Sequence, residues 1–194
     1  MNSWDKIDSR FNPEGRYELG NNDEDLCTRL AKGGSVHAKY KRMIKIYCDV
    51  TAPLYWWKEF DTYKVGTVAN SCSTMHRLGY SELTLDDLSV EHLNDKNLRV
   101  IKEVLISFNK AREIWIESGK NDKDAWWQMI QLLPSCYNQK RTIEMNYQVM
   151  TEIYEYRSNH KLDEWHEFCE TMRKGLPYFK EIILSSINTK KEED

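Results

Sequence analysis

The sequence has little of what would point to a specialised class. No apolar run approaches the roughly 20 residues that cross a bilayer, so no membrane-spanning helix is expected. No C-x-x-C pair occurs, and the five cysteines (Cys27, Cys48, Cys72, Cys136, Cys169) are odd in number and widely spaced. A disulfide framework or a zinc ribbon would look different, and the pattern reads as a reducing, cytoplasmic compartment. Neither sign of charge dominates: 28 Lys and Arg against 31 Asp and Glu leave a formal charge of -3. That disfavours generic nucleic-acid binding through a basic surface. Glycine (8) and proline (4) are scarce, which excludes collagenous and low-complexity chains. The start, MNSWDKIDSRFNPEGRYELG, lacks the charged-then-apolar order of a signal peptide.

What is present is a soluble, globular composition of 194 residues, 40% hydrophobic and 30% charged, with 7 Trp and 11 Tyr. A domain of this size removes enough surface from water to need no staple. Residues 1–20 are polar and broken by Pro13, Gly15 and Gly20, and read as an arm. A helix is expected over Asn22–Lys32, with acids in its first turn and Gly33 past its end. From Tyr40 to Val50 the chain alternates: Ile44, Ile46, Cys48 and Val50 share one face, and Lys41, Lys45 and Asp49 the other. Thr51 and Pro53 read as the cap and first turn of a helix through LYWWKEFDTY. After a polar loop or short strand at Asn70–Thr74, helices are expected over 93–117, 122–133, 142–156 and 162–172. The tail 188–194 reads as a solvated charge run. These elements make one α+β domain, 21–187, dominated by helices.

The segment Asp49–Leu78, DVTAPLYWWKEFDTYKVGTVANSCSTMHRL, resembles the signature region of the flavin-dependent, ThyX-type thymidylate synthases. There a strand runs into V-x-A-P-[IL]-[FV], then a helix, then R-H-R-x7-S. Val50, Ala52, Pro53, Leu54 and Tyr55 match the first pattern. Further on, LLPSCYN and NYQVMTEIYEYRSNHKLDEWHEF resemble the family's L-P-x-x-x-Y-T and N-L-R-x-L-x-x-F-x-x-x-R segments, with Leu133, Pro134, Asn146 and Arg157 in family positions. The resemblance spans Val36 to Met172. It implies a ThyX-like fold, helix-rich around a small, mainly antiparallel sheet, and a homo-oligomer, a tetramer, with sites between subunits.

The family's chemical residues are largely replaced. Thr62, Tyr63 and Lys64 stand at R-H-R, Cys72 at the serine, Ala69-Asn70 at N-E, and Thr74 at the later arginine. The early G-H-E element is Val36, His37 and Ala38. The arginine that polarises the pyrimidine ring in the family falls at Glu167 or Phe168. Of the motif arginines, Arg157 alone is kept cleanly. Oxyanion recognition through planar guanidinium forks loses most of its charge by these replacements.

Read for chemistry alone, the polar cluster Asn70, Ser71, Cys72, Ser73 and Thr74, flanked by Tyr63, Lys64, His76 and Arg77, can cradle a phosphate. It can equally be a hydrogen-bonded turn. With the resemblance, these residues and Arg157 are the expected nucleotide contacts, and Tyr63 or Trp57 the surface on which a base stacks. Cys72 with His76 invites a nucleophile–base reading, but a small buried thiol is the ordinary alternative, and no catalytic residue is assigned. His166 and Cys169, with His160 upstream, recruit no obvious third ligand, so no metal is expected. The Trp56-Trp57 and Trp126-Trp127 pairs read as core or interface. Lys39, Lys41, Arg42 and Lys45 read as a solvated basic face, with an anion or partner contact second.

The function expected is binding rather than thymidylate synthesis: a nucleotide-like ligand or a partner protein, in a small protein of phage or mobile-element type, without a bound cofactor. The alternatives are a divergent flavoenzyme that acts with FAD on a pyrimidine nucleotide, and a structural oligomer with no small ligand.

Overall fold

The computed structural model describes residues 6–71, 73 and 78–190, the last three by backbone alone. The chain divides into two compact, discontinuous units. One comprises residues up to Tyr47, Tyr63–Val68 and Glu144 onward; the other comprises Cys48–Thr62 and Ala69–Ile143.

The first unit opens with a small antiparallel hairpin, β1 (Arg10–Phe11) and β2 (Tyr17–Glu18), where the sequence reads only as an arm. Helix α1 (Asn21–Lys32) follows as expected. Its first N–H groups are met from outside the helix: the Asp8 carboxylate accepts from the Asn22 and Asp23 amides at 2.8 and 3.1 Å. Buried Asp23 in turn accepts from the Ser9 hydroxyl at 2.6 Å. A short 3-10 turn, Lys39–Met43, precedes strand β3 (Lys45–Pro53). The strand therefore starts five residues later than the alternation implies.

Lys41 falls in that turn and not on the strand's solvent face. Its side chain is buried, while Lys39, Arg42 and Lys45 are exposed. The unit is completed by α5 (Tyr147–Arg157), α6 (Asp163–Gly175), a π-helical turn at Lys180–Leu184 and α7 (Ser185–Lys190). Helix α7 takes in residues 188–190, the first part of the expected charged tail; 191–194 lie outside the described residues. Its core gathers Cys27 and Ala31 from α1, Met150 and Ile153 from α5, Trp165 and Cys169 from α6, and Ile183.

In the second unit β3 continues to Pro53, so Thr51 is strand and caps nothing; Pro53 holds the cap position of α2 (Leu54–Phe60). The helix stops at Phe60, short of Tyr63, because Thr62 turns back: its amide and its hydroxyl both donate to the Glu59 carbonyl, at 3.1 and 2.7 Å. Trp56, Trp57 and Phe60 are all buried. Trp56 stacks on Phe60 at 5.3 Å, and the Trp57 indole donates to the Gln139 carbonyl at 2.9 Å. Trp57 is thus core and not a platform for a base. Of the other pair Trp127 is exposed, its ring edge-on to Trp126 at 4.9 Å.

Helices α3 (Asp95–Glu117) and α4 (Lys123–Leu132) form an antiparallel-hairpin core. Leu105, Phe108 and Met129 are buried with Leu78, Leu83 and Leu88. Asn94 and Asp122 cap them, accepting from the Asn97 and Ala125 amides. A Schellman pair closes α3: the Gly119 amide donates to Ile116 and the Lys120 amide to Trp115.

Residues 138–146 are a strand, β5 (Asn138–Asn146), so the helix expected from Thr142 begins only at Tyr147. Ile143 and Met145 are fully buried and alternate with Thr142 and Glu144. Two apolar residues at a spacing of two are too short a signal to stand out beside the helical spacing of Val149, Met150 and Ile153, and the neighbouring strand decides. β5 is the middle strand of a three-stranded antiparallel sheet in the order β3-β5-β4, with β4 at Val68–Ser71. Lys45–Glu144 (2.7 Å), Lys140–Asp49 (2.8 Å) and the Thr142 hydroxyl on Asp49 (2.6 Å) lace its exposed face. Among the described residues no helix is long and apolar enough to cross a membrane.

Candidate functional site

Of the residues expected to bind a nucleotide, the structure brings Tyr63 and Arg157 together. Arg157 ends α5, and its Nε donates to the Tyr63 hydroxyl oxygen at 3.1 Å. Its guanidinium lies 5.8 Å from the Tyr63 ring and 5.1 Å from that of Trp165, which is wholly buried. Tyr63 meets Trp165 edge-on at 6.3 Å, and His160 and Phe168 close around the same indole. A desolvated cation–π contact of this kind contributes about 1–2 kcal/mol. The retained arginine therefore holds an aromatic knot that fixes the segment after α2. The Tyr63 carbonyl accepts from the Thr67 hydroxyl, which tightens the same turn.

Lys64 is exposed in that turn. Asn70 and Ser71 lie on β4 and Ser73 just beyond it, all exposed and all in the second unit. Cys72, Thr74, His76 and Arg77 lie outside the described residues. Glu167 is exposed on α6, and Phe168 is buried against Trp165. His160 Nδ1 accepts from the Leu162 amide at 3.2 Å, and Cys169 is buried with its thiol pushed up to about 12 by desolvation. Among the described residues no group of three His, Cys, Asp or Glu could hold a metal ion.

The first unit also contains a cavity of about 620 Å³ that the sequence did not announce. One wall is the end of α1 and the turn after it. Gly33 and Gly34 donate to the Arg29 and Ala31 carbonyls, and Gly34 takes φ +84° so that the chain can double back. The facing wall is α5, presenting Gln148, Thr151, Glu152 and Glu155 at spacings of three and four.

Lys41 reaches in between them. Its Nζ donates to Ser186 Oγ at 2.7 Å and Thr151 Oγ1 at 3.3 Å. Each of these hydroxyls gives its own proton to a helix carbonyl, Ile183 for Ser186 and Tyr147 for Thr151, both at 2.7 Å. Their lone pairs are thereby turned toward the ammonium. The π-helical turn just before α7 sets the rotation of that helix and so the place of Ser186.

The cavity thus offers a buried cation deep in the wall and two carboxylates on α5. A ligand that carries an anionic group together with hydroxyl or amino donors meets both needs, and the volume lies in the usual range for small-molecule sites. Sequence reading missed Lys41 because a lysine beside an alternating strand looks solvated. It missed the α5 face because a polar helical stripe looks the same whether it borders water or a cavity. The G-G-S run directly after a helix was the one available signal. A second groove of about 660 Å³ along α3 and residues 82–84 is lined by Glu82, Lys102, Lys110 and Glu113, all exposed, and holds no buried charge like Lys41.

No family model and no curated protein sequence matches the chain. Solved structures do. The flavin-dependent thymidylate synthase ThyX of Helicobacter pylori, complexed with FAD and dUMP, is similar with a TM-score of 0.58 at 17% identity, over 89% of this chain and 85% of that one. Another structure of that enzyme with FAD and dUMP gives 0.58 at 16%, over 87% and 84%. PolB of Streptomyces cacaoi, a UMP/dUMP methylase bound with 5-Br dUMP, gives 0.54 at 11%, over 92% and 83%. The α+β fold of this chain is the ThyX fold, as the sequence resemblance implies.

Proposed function

We propose that this ThyX-fold protein binds a nucleotide-like ligand and does not make thymidylate. The carrying observation is what stands at the positions where the resemblance places the family's reactive groups. Thr62 is engaged in ending α2, Tyr63 is locked to Arg157, and the ring-polarising position holds either a solvent-facing carboxylate or a buried phenyl ring. None of these donates a charged hydrogen bond to a pyrimidine carbonyl.

The same residues do not fit a flavin. Its phosphates call for several guanidinium forks, and the one arginine kept is packed between two aromatic rings.

Binding is supported by the cavity at Lys41. A phosphate set beside its ammonium would be held by a charge-assisted hydrogen bond, with Glu152 and Glu155 accepting from ribose hydroxyls or a base amino group. That both bound pyrimidine nucleotides and analogues appear on this fold in the comparison structures supports the ligand class. The motif-derived set, Tyr63, Lys64, Asn70–Thr74, His76, Arg77 and Arg157, defines the competing location.

Calorimetry with UMP, dUMP and purine monophosphates separates the two. Lys41→Met should weaken binding about ten- to a hundredfold, the worth of one charged hydrogen bond, while Lys64→Ala leaves it unchanged. The reverse pattern moves the site to the motif loop. A yellow preparation with stoichiometric flavin, or rescue of a thymidine auxotroph, overturns the proposal in favour of a divergent flavoenzyme.

A further inference from the structure

Just past the C-terminal end of α3, two aromatic rings converge on one nitrogen. The Lys120 ammonium lies 4.7 Å from the centre of the Tyr80 ring and 5.5 Å from that of Trp115, both within the reach of a cation–π contact. All three residues belong to the second unit, away from the Lys41 cavity. Tyr80 is 69% exposed, Trp115 is half-buried and Lys120 is exposed, so the place opens to solvent.

The two rings are held without help from the lysine side chain. Arg112 donates from Nε to the Gly79 carbonyl at 3.2 Å and from a terminal nitrogen to the Tyr80 carbonyl at 3.3 Å, which fixes the backbone that carries the tyrosine. Trp115, about one turn further along α3, packs so closely on Gly79 that a Cβ there would collide with its six-membered ring. The Trp115 carbonyl accepts from the Ser118 hydroxyl at 2.7 Å and from the Lys120 amide at 2.8 Å, so the turn that ends the helix is tied to the same residue. Lys120 reaches the rings from a left-handed backbone, φ +68°, at the end of a flexible stem. The walls are rigid and their occupant is not.

A primary ammonium is strongly hydrated and gives up hydrogen bonds to water when it faces a ring. A quaternary ammonium has no N–H to leave unsatisfied, and aromatic faces are its favoured surroundings. We propose that Tyr80 and Trp115 form a recognition site for a trimethylammonium group, which the Lys120 side chain occupies when no ligand is present. The inference is independent of the nucleotide site. Two exposed cation–π contacts keep the lysine in place about ten times as often as out of it, so a ligand binds at roughly a tenth of its intrinsic affinity.

An NMR titration of the full chain with choline, following the Trp115 indole N–H resonance, tests the site; dispersion of the amide spectrum shows that each variant stays folded. Lys120→Ala removes the occupant and keeps the same left-handed backbone, so it should bind choline about tenfold more tightly than the parent. In that background Tyr80→Ala should abolish saturable binding, whereas Tyr80→Phe keeps the ring face and should preserve it. The neutral isostere of choline, with a tert-butyl group in place of the trimethylammonium, should not bind. Nε-trimethyllysine, blocked at both ends, carries the same head group; whichever of it and choline binds more tightly distinguishes a methylated protein chain from a free small molecule as its source.

No saturable binding of either trimethylammonium compound to the Lys120→Ala variant overturns the proposal. So does equal binding of the neutral isostere, an affinity no higher than the parent's, or binding that survives Tyr80→Ala.

Discussion

Gly66 connects the backbone of the motif turn to the helix that walls the cavity, and replacing it by alanine tests that connection quantitatively. The residue sits at φ +82°, and a Cβ there would lie 2.8 Å from Asn146 Nδ2 and 3.1 Å from Val149 Cγ2. Asn146 is not free to step aside. Its Oδ1 caps α5 by accepting from the Gln148 and Val149 amides at 3.0 and 3.1 Å. A left-handed alanine costs about 1–2 kcal/mol, and displacing an N-cap side chain costs about 1 kcal/mol. Gly66→Ala should therefore destabilise the protein by roughly 2–3 kcal/mol in urea unfolding.

Gly34→Ala is the control, because Gly34 has nearly the same φ, +84°, with nothing within 4 Å of its Cβ. It should cost only the backbone strain, about 1 kcal/mol less than the Gly66 change. In an Asn146→Ala background the Gly66 change should fall to the cost of its control, a coupling of about 1 kcal/mol. Because α5 also presents Thr151, Glu152 and Glu155 to the cavity, Gly66→Ala should weaken nucleotide binding as well. Equal costs for Gly66→Ala and Gly34→Ala, or perfect additivity with Asn146→Ala, would refute the reasoning.

Burial raises the Tyr147 hydroxyl from 10.0 to about 12, and it donates to the Pro177 carbonyl at 2.7 Å. Its neutral form is favoured in the folded state, so this stabilisation is complete below pH 10 and is lost as the pH climbs toward about 12. It amounts to about 2–3 kcal/mol, and Tyr147→Phe should flatten the alkaline limb of a stability–pH profile measured by urea titration. Desolvation likewise pushes the Cys169 thiol up to about 12 and raises that of Cys27, both buried. Iodoacetamide at neutral pH should leave these two unlabelled by peptide mass spectrometry until denaturant is added; rapid native labelling of either would contradict the packing around it.

The helices that the sequence marks with local signals are those the structure keeps. α1 has acids at its start and glycine past its end, and α3 and α4 show apolar residues at intervals of three and four. Element order and the patterns around Val50–Tyr55 and Leu133–Arg157 made the fold legible too. Such signals are carried by neighbours in the chain, so the sequence alone determines them.

What failed needed a distant partner. Thr142–Asn146 is a strand because β3 and β4 flank it, and its own two alternating apolar residues are too few to mark it. Lys41 is buried because Thr151 and Ser186, 110 and 145 residues away, turn their lone pairs to it. Arg157 was legible as a retained motif residue, yet its use as the centre of an aromatic knot depends on Tyr63 and Trp165 arriving from two other segments. A side chain's chemistry is written in its type, whereas its burial and hydrogen-bond partners belong to the folded chain. The candidate site lies where burial and partners, rather than residue type, decide what a lysine or a helical stripe of polar groups can do.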